Sequence, residues 1–241
     1  MTLEATLIDA SAAFGSGALP EARTRAVARM GITRQIVCGC DGPAPDTDVE
    51  ITSLNRRRRV TARANAGGAA WCAAADARRP DHARDQIVRA STRGAVGIDL
   101  FTAGAGETAL DAVVNEAARR GLPVRLSSAG VLADLLRAHP RAQFVLSRPG
   151  DDPYGADDLA PLADAANVHL DLASCGAVRG ALDAALALFG AARLLWGSGA
   201  QLATGLAQLR ALDVIAPGAE VLDALRWRNA ERLYARLGAS P

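Results

Sequence analysis

A chain of 241 residues with 50% hydrophobic and 22% charged residues has the composition of an ordinary globular domain, which excludes a disordered or fibrous protein. Its formal net charge of +1 gives no electrostatic footprint for nucleic acid or for an anionic membrane surface. No apolar run reaches the roughly 18 residues of a membrane span, and the start of the chain lacks the order of a secretion signal, so we expect a cytoplasmic protein.

All basic residues are arginine, which is typical of a GC-rich bacterial genome and removes every lysine-based chemistry, such as a Schiff base. The cysteines, among them Cys38 and Cys40, are expected to be reduced thiols in such a protein. The arginine run Arg56–Arg59 could hold a phosphate. Because it lies between the end of a predicted helix and a predicted strand, we interpret it as a solvated face.

Short apolar runs alternate with amphipathic segments, and no break in composition marks a second domain. The strand candidates are Ala5 to Ala10, Arg34 to Cys38, Val60 to Asn65, Ala95 to Leu100, Val124 to Ser127, Gln143 to Ser147, Val168 to Leu172 and Arg193 to Trp196. Helical spacing is found in Glu21 to Met30, Asp81 to Arg93, Glu107 to Arg120, Val131 to Ala138, Ala177 to Phe189, Leu202 to Asp213 and Glu220 to Leu237. This alternation predicts one α/β domain over residues 1–241, a (β/α)8 TIM barrel with an extra C-terminal helix, rather than an open sheet.

Several local signatures follow one another in a characteristic order. They are Leu7-Ile8-Asp9-Ala10, Arg93-Gly94-Ala95-Val96-Gly97-Ile98, Gly121-Leu122-Pro123-Val124, Asn167-Val168-His169-Leu170-Asp171, Arg193-Leu194-Leu195-Trp196-Gly197-Ser198 and Asn229-Ala230-Glu231-Arg232-Leu233. In their order and spacing the chain resembles the amidohydrolase superfamily nearly from end to end. The similarity is to the amidohydrolase-2 branch, which includes aminocarboxymuconate-semialdehyde decarboxylase-like enzymes.

The resemblance implies a divalent metal held by a His-x-His on strand one, a histidine on each of strands five and six, and an aspartate on strand eight. At those positions this sequence has Ser11 and Ala13, Ser127, Arg148 and Gly199. Hydroxyls are poor ligands, and a permanently charged guanidinium repels a cation. We therefore expect a divergent member of the family with no metal and no other cofactor.

Side chains two apart on a strand share a face. On strand one, Leu7, Asp9, Ser11 and Ala13 are predicted to face the barrel interior. The candidate general acids or bases are Asp99 and Asp171, and the candidate substrate-binding residues are Ser11, Arg125, Ser127, Arg148 and Ser198. The alternative is a structural network in which Asp9 or Asp99 pairs with Arg125 and fills the space of the lost metal.

Two functions remain open. The first is a non-catalytic or regulatory subunit, a pseudoenzyme that forms a homo-oligomer or pairs with an active amidohydrolase. The second is a metal-independent lyase, isomerase, cyclase or lactonase-type hydrolase that acts on a small anionic metabolite at the C-terminal mouth of the barrel. Neither function needs nucleic acid or a membrane as a partner.

Overall fold

The computed structural model describes residues 6–12, 27, 29–38, 45–64, 69–126, 132–147, 156–175, 180–199, 202–215 and 218–238. The strands are Ile8–Ala12 (β1), Arg34–Val37 (β2), Ala69–Asp76 (β3), Gly97–Phe101 (β4), Val124–Leu126 (β5), Phe144–Leu146 (β6), Val168–Asp171 (β7) and Leu194–Leu195 (β8). All eight pair in parallel and in chain order. The amide of Ala10 donates to the carbonyl of Trp196 at 3.0 Å, and Ala12 bridges Gly199, so β1 also meets β8. This confirms the predicted (β/α)8 barrel.

Helices cover the outside of the barrel between consecutive strands. They are Asp48–Ala64 (α1), Pro80–Thr92 (α2), Glu107–Arg119 (α3), Leu132–Ala138 (α4), Ala156–Ala163 (α5), Ala181–Phe189 (α6), Leu202–Ile215 (α7), Ala219–Asp223 (α8) and Asn229–Leu233 (α9). The predicted C-terminal helix is present, with a π-helical turn at Ala224–Arg228 between α8 and α9 and a 3-10 turn at Ala235–Gly238 after them. No helix in the described part of the chain combines the length and apolarity needed to span a bilayer.

Strand side chains alternate between two apolar clusters. Outward side chains such as Leu100 pack with helix residues such as Leu110 in the larger cluster. Inward side chains pack with the C-terminal helix in the smaller one, whose members include Ile8, Ala10, Ile36, Cys38, Cys72, Val145, Leu195, Leu233 and Tyr234. Leu7 belongs to the outer cluster, so the prediction that Leu7 and Asp9 face the interior is wrong. Both faces of this strand are buried, and apolar periodicity therefore does not identify the inward one.

The third strand is the largest error of the sequence analysis. The segment predicted as a strand, Val60 to Asn65, instead continues helix α1 to Ala64, and the strand is the alanine-rich run Ala69–Asp76. Alanine has a low preference for strands, so this run carries no strand signal of its own. It is extended because small side chains fit its fully buried position between β2, β4 and α1.

Within the described residues, β2 pairs with β3 as far as Trp71. Farther along this edge of β3, two α1 side chains hydrogen-bond to the β3 backbone. The Asn55 amide accepts from the amide of Ala74 at 2.6 Å and donates to the carbonyl of Ala74 at 2.9 Å. The Arg58 guanidinium donates to the carbonyl of Cys72 at 3.0 Å. Helix α1 thus completes the wall of the barrel.

Candidate functional site

A buried ion pair crosses the interior near the mouth. Arg125 on β5 donates from Nη2 to Oδ2 of Asp171, the last residue of β7, at 2.9 Å, and the two side chains are 2% and 0% exposed. The hydroxyl of Ser147, directly after β6, donates to the same Oδ2 at 2.8 Å. Through Nη1, Arg125 also donates to the carbonyl of Ala10 at 3.1 Å and to the hydroxyl of Tyr234 at 3.2 Å. One guanidinium therefore connects β1, β5, β6, β7 and the C-terminal helix.

A second pair lies beside the first. Arg58 reaches from α1 to the inward carboxylate of Asp99 on β4, with 2.7 Å between Nη2 and Oδ2. The Arg58 side chain is 3% exposed and that of Asp99 is 20% exposed. The interpretation of the arginine run as a solvated face is thus wrong for Arg58, although Arg56 and Arg57 are exposed. A helical period places Arg58 on the buried stripe of α1, and the misassigned strand concealed that period.

The thiols and the phenol around Arg125 are held in their neutral forms. Burial raises the pKa of the Cys38 thiol to about 12, and it raises the pKa of the Cys72 thiol further above its usual range. Burial likewise raises the pKa of the Tyr234 phenol well above its ordinary value. Among the described cysteines, Cys38, Cys72 and Cys175 are free thiols, as expected. Neither Cys38 nor Cys72 has the thiolate character that nucleophilic catalysis requires.

The other predicted site residues fall into two groups. Ser127, Arg148 and the side chain of Ser11 lie outside the described residues. Ser198 is described, and it binds Asp9 twice: its amide donates to Oδ1 at 2.8 Å and its hydroxyl to Oδ2 at 2.6 Å. Ser198 also packs closely under Gly205 of α7, so its side chain faces a helix on the outer side of the sheet. The structure thus brings together Asp99, Arg125 and Asp171, with Ser198 on the opposite face.

Two residues of the interior were not predicted from the sequence. Ser147 is the residue directly after β6, which ends at Leu146. Because side chains alternate along a strand, this position faces the barrel interior. Tyr234 comes from the C-terminal helix and is fully buried beneath the barrel. Its contact with Arg125 links residues 109 positions apart, and no local sequence pattern indicates such a contact.

The described interior does not fit a metal centre of the family type. Among the residues that the structure describes, no three His, Cys, Asp or Glu side chains converge. Asp171 accepts from Arg125 and Ser147 through Oδ2 and from the amide of Ala173, at 3.0 Å, through Oδ1. Gly199 stands where the resemblance expects an aspartate and has no side chain to offer. A fixed guanidinium beside the only fully buried inward carboxylate described also repels a cation.

The fold and this interior define a class of protein: a parallel (β/α)8 barrel with paired charges in its interior near the mouth. The chain matches the family model described as amidohydrolase over residues 43–236 and therefore belongs to the amidohydrolase family. No curated protein matches the sequence.

Several solved structures share the fold at low sequence identity. An amidohydrolase II structure has a TM-score of 0.75 at 16% identity, covering 95% of this chain and 99% of that one. An amidohydrolase from Burkholderia multivorans with bound HEPES has a TM-score of 0.71 at 17% identity, covering 96% and 99%. A 2,6-dihydroxybenzoate decarboxylase from Rhizobium has a TM-score of 0.66 at 14% identity, covering 95% and 98%. At these identities the similarity establishes the fold.

Proposed function

We propose that this chain is an amidohydrolase-like barrel without a metal centre that acts as a non-catalytic, regulatory or partner subunit. The observation that carries the proposal is the buried pair of Arg125 and Asp171, closed by Ser147. A barrel that works through a bound cation needs free lone pairs at this place. Here the lone pairs of the buried carboxylate already accept hydrogen bonds from the protein itself.

The same contacts make Asp171 unsuited to proton transfer. A general base needs an oxygen within hydrogen-bond reach of the substrate. Both oxygens of Asp171 face protein donors, and the residue is fully buried. Releasing one of them weakens the pairing of the buried Arg125 charge, which is costly. The pair therefore supports a structural role, in which charge pairing replaces the bracing that a metal gives to related barrels.

One observation favours the second function, a metal-independent enzyme. Asp99 is the only one of the paired interior carboxylates described here that is partly exposed, at 20%, and Arg58 beside it supplies a positive charge. A small anion entering the mouth would meet this pair first. The enzyme hypothesis thus makes Asp99 the acid or base and Arg58 the residue that orients the anion.

Metal binding tests the shared premise of both functions. The purified chain is stripped with a chelator, titrated with Zn²⁺ and with Mn²⁺ by calorimetry, and compared with a metal-binding member of the family prepared in parallel. We expect stoichiometric binding in the relative and none in this chain. One equivalent of metal retained after desalting would overturn the proposal.

Activity and assembly then separate the two functions. We expect no turnover of aromatic carboxylates such as 2,6-dihydroxybenzoate, and a stable complex with an active amidohydrolase from the same genome in size-exclusion chromatography with light scattering. Turnover that disappears in Asp99→Asn but persists in the control Asp134→Asn, an exposed α4 position, would establish the enzyme instead. A chain that stays monomeric beside every such amidohydrolase would refute the partner role.

A further inference from the structure

A narrow cleft lies outside the barrel, between α1 and α2, with Trp71 of β3 at its base. Its volume is about 150 Å³. Four arginines line it: Arg56 and Arg59 from α1, Arg89 from α2 and Arg93 directly after α2. The cleft is separate from the barrel interior, because the Arg58 side chain between these α1 arginines points to Asp99 instead.

The positive charge of the cleft is poorly balanced. None of the residues that line it is acidic. Arg89 has a partner, Asp85, at 3.3 Å on the exposed surface of α2. Among the described residues, no carboxylate pairs with Arg56, Arg59 or Arg93. The cleft thus carries three guanidinium groups without a counter-charge of their own.

The crowding of like charges is visible in the electrostatics of Arg59. Burial first, and then the positive charges of Arg93, Arg63 and Arg56, lower the pKa of the Arg59 guanidinium. Arg56 and Arg59 are three residues apart on one helix face, where like charges destabilise the helix. Arg93 complements the C-terminal dipole of α2, but no such effect explains the two α1 arginines, which lie in the middle of their helix.

We propose that this cleft is a binding site for the phosphoryl group of a small, multiply charged anion. Guanidinium groups present planar pairs of donors that match phosphate oxygens, and a phosphoryl group offers three such oxygens with up to two negative charges. The cleft is smaller than the roughly 300–1,000 Å³ of pockets for drug-sized ligands, so it takes a compact group. The near-neutral chain offers no extended basic surface for a nucleic acid polymer.

The polar residues of the cleft are hydrogen-bonded to one another. Gln86 and Asn55 are held in place by each other, with 3.2 Å between Asn55 Nδ2 and Gln86 Oε1, and Gln86 Nε2 donates to Thr52 at 3.2 Å. These contacts fix the amides before a ligand arrives, which lowers the ordering cost of binding. The arginines supply the donors to the phosphoryl oxygens, because the amide N–H groups of Asn55 and Gln86 are already engaged by the protein.

Calorimetry with inorganic pyrophosphate tests the proposal, with inorganic phosphate, a phosphomonoester and citrate as further probes at matched ionic strength. We expect saturable one-to-one binding of pyrophosphate, weakened at least tenfold in Arg59→Gln and in Arg93→Gln. The matched control is Arg57→Gln, which removes an exposed charge from α1 outside the cleft and should change Kd less than twofold. Thermal unfolding of each variant verifies that it is folded.

The other outcomes either contradict the proposal or identify the source of the phosphoryl group. Absence of saturable binding by the unmodified chain to all of the phosphate probes at millimolar concentration would overturn the site. Equal losses in Arg57→Gln and Arg59→Gln would show general surface attraction instead. Citrate binding as tightly as pyrophosphate would replace the phosphoryl assignment by a carboxylate one. Tighter binding of the phosphomonoester than of both inorganic probes would identify a phosphorylated metabolite as the source of the group.

Discussion

Replacing Asp171 by leucine removes the carboxylate that pairs with Arg125 at 2.9 Å and leaves that guanidinium buried at 2% exposure. Breaking a buried pair in this way costs about 3–5 kcal/mol, a large share of the roughly 5–15 kcal/mol by which domains are stable. For a chain of this length the loss corresponds to a decrease in Tm of about 6–20 °C. Arg125→Met should lower the free energy of unfolding by a similar amount, because it leaves the buried carboxylate of Asp171 without its charged partner.

The double variant Arg125→Met/Asp171→Leu distinguishes a structural pair from two independent residues. Apolar replacement of an entire buried pair is often neutral or stabilising, so the double variant should be more stable than either single variant. Ser147, Tyr234 and the carbonyl of Ala10 still lose a partner, which leaves a residual cost of about 1–3 kcal/mol for each group that finds none. We therefore expect the losses to be non-additive by about 2 kcal/mol or more.

Urea-induced unfolding followed by far-UV circular dichroism and by tryptophan fluorescence measures these free energies, with the fully buried Trp196 as one reporter. Losses that add within about 0.5 kcal/mol would show that Arg125 and Asp171 do not depend on each other. Single variants that lose less than about 1 kcal/mol would refute the argument that the pair braces the barrel.

Three further predictions concern other parts of the fold. Asn55→Ala should destabilise by about 2–4 kcal/mol in urea unfolding, because it leaves both backbone groups of Ala74 without their partner. Gly205→Ala should cost about 1–3 kcal/mol by the same measurement, because its Cβ would lie 2.9 Å from Cα of Ser198. Burial, with nearby arginines, lowers the pKa of His169 from 6.5 to about 4, so stability should fall by up to about 3 kcal/mol as the pH drops through that window, and His169→Gln should remove this dependence.

Matched variants control these measurements. Gly106→Ala adds the same methyl group where no atom lies within 4 Å, and a loss as large as that of Gly205→Ala would contradict the packing argument. Asn55→Asp keeps the acceptor for the Ala74 amide and should lie between the wild type and Asn55→Ala. For His169, the folded protein binds the proton less readily than the unfolded chain between pH 6.5 and 4, so the free energy of unfolding decreases as the pH falls. Stability that rises on acidification in this window would contradict the assignment.

The sequence was sufficient for the architecture because alternation of strands and helices is a repeated, local signal. Seven of the predicted strands overlap observed ones. Strand β3 was not predicted, because only packing against neighbouring elements makes its alanines extended. Helix α1 was missed for the related reason that Val60 and Thr61, two β-branched residues, continue a helix whose buried stripe contains Arg58. Local preference fails where packing decides the conformation.

For the interior charges too, the sequence identifies candidate residues, whereas the folded barrel determines which of them pair. One of the two interpretations of the sequence pairs Arg125 with Asp9 or Asp99, and this choice of partner is wrong because Arg125 pairs with Asp171. Asp9 instead binds Ser198, and Asp99 binds Arg58. Partner choice depends on strand register and on which face of each strand is inward, and both are properties of the whole barrel.

Helix α1 connects the two proposals because its polar side chains contact both the barrel and the arginine cleft. Arg58 and Asn55 hydrogen-bond to β3, Arg56 and Arg59 line the arginine cleft, and Asn55 contributes to both places. The repulsion between the cleft arginines acts on the same helix that completes the barrel wall. A ligand at 100 times its Kd stabilises the state that binds it by about 2.7 kcal/mol, an amount similar to the expected cost of losing Asn55. Occupancy of the cleft should therefore stabilise the packing of α1 against β3, where Arg58 contacts Asp99.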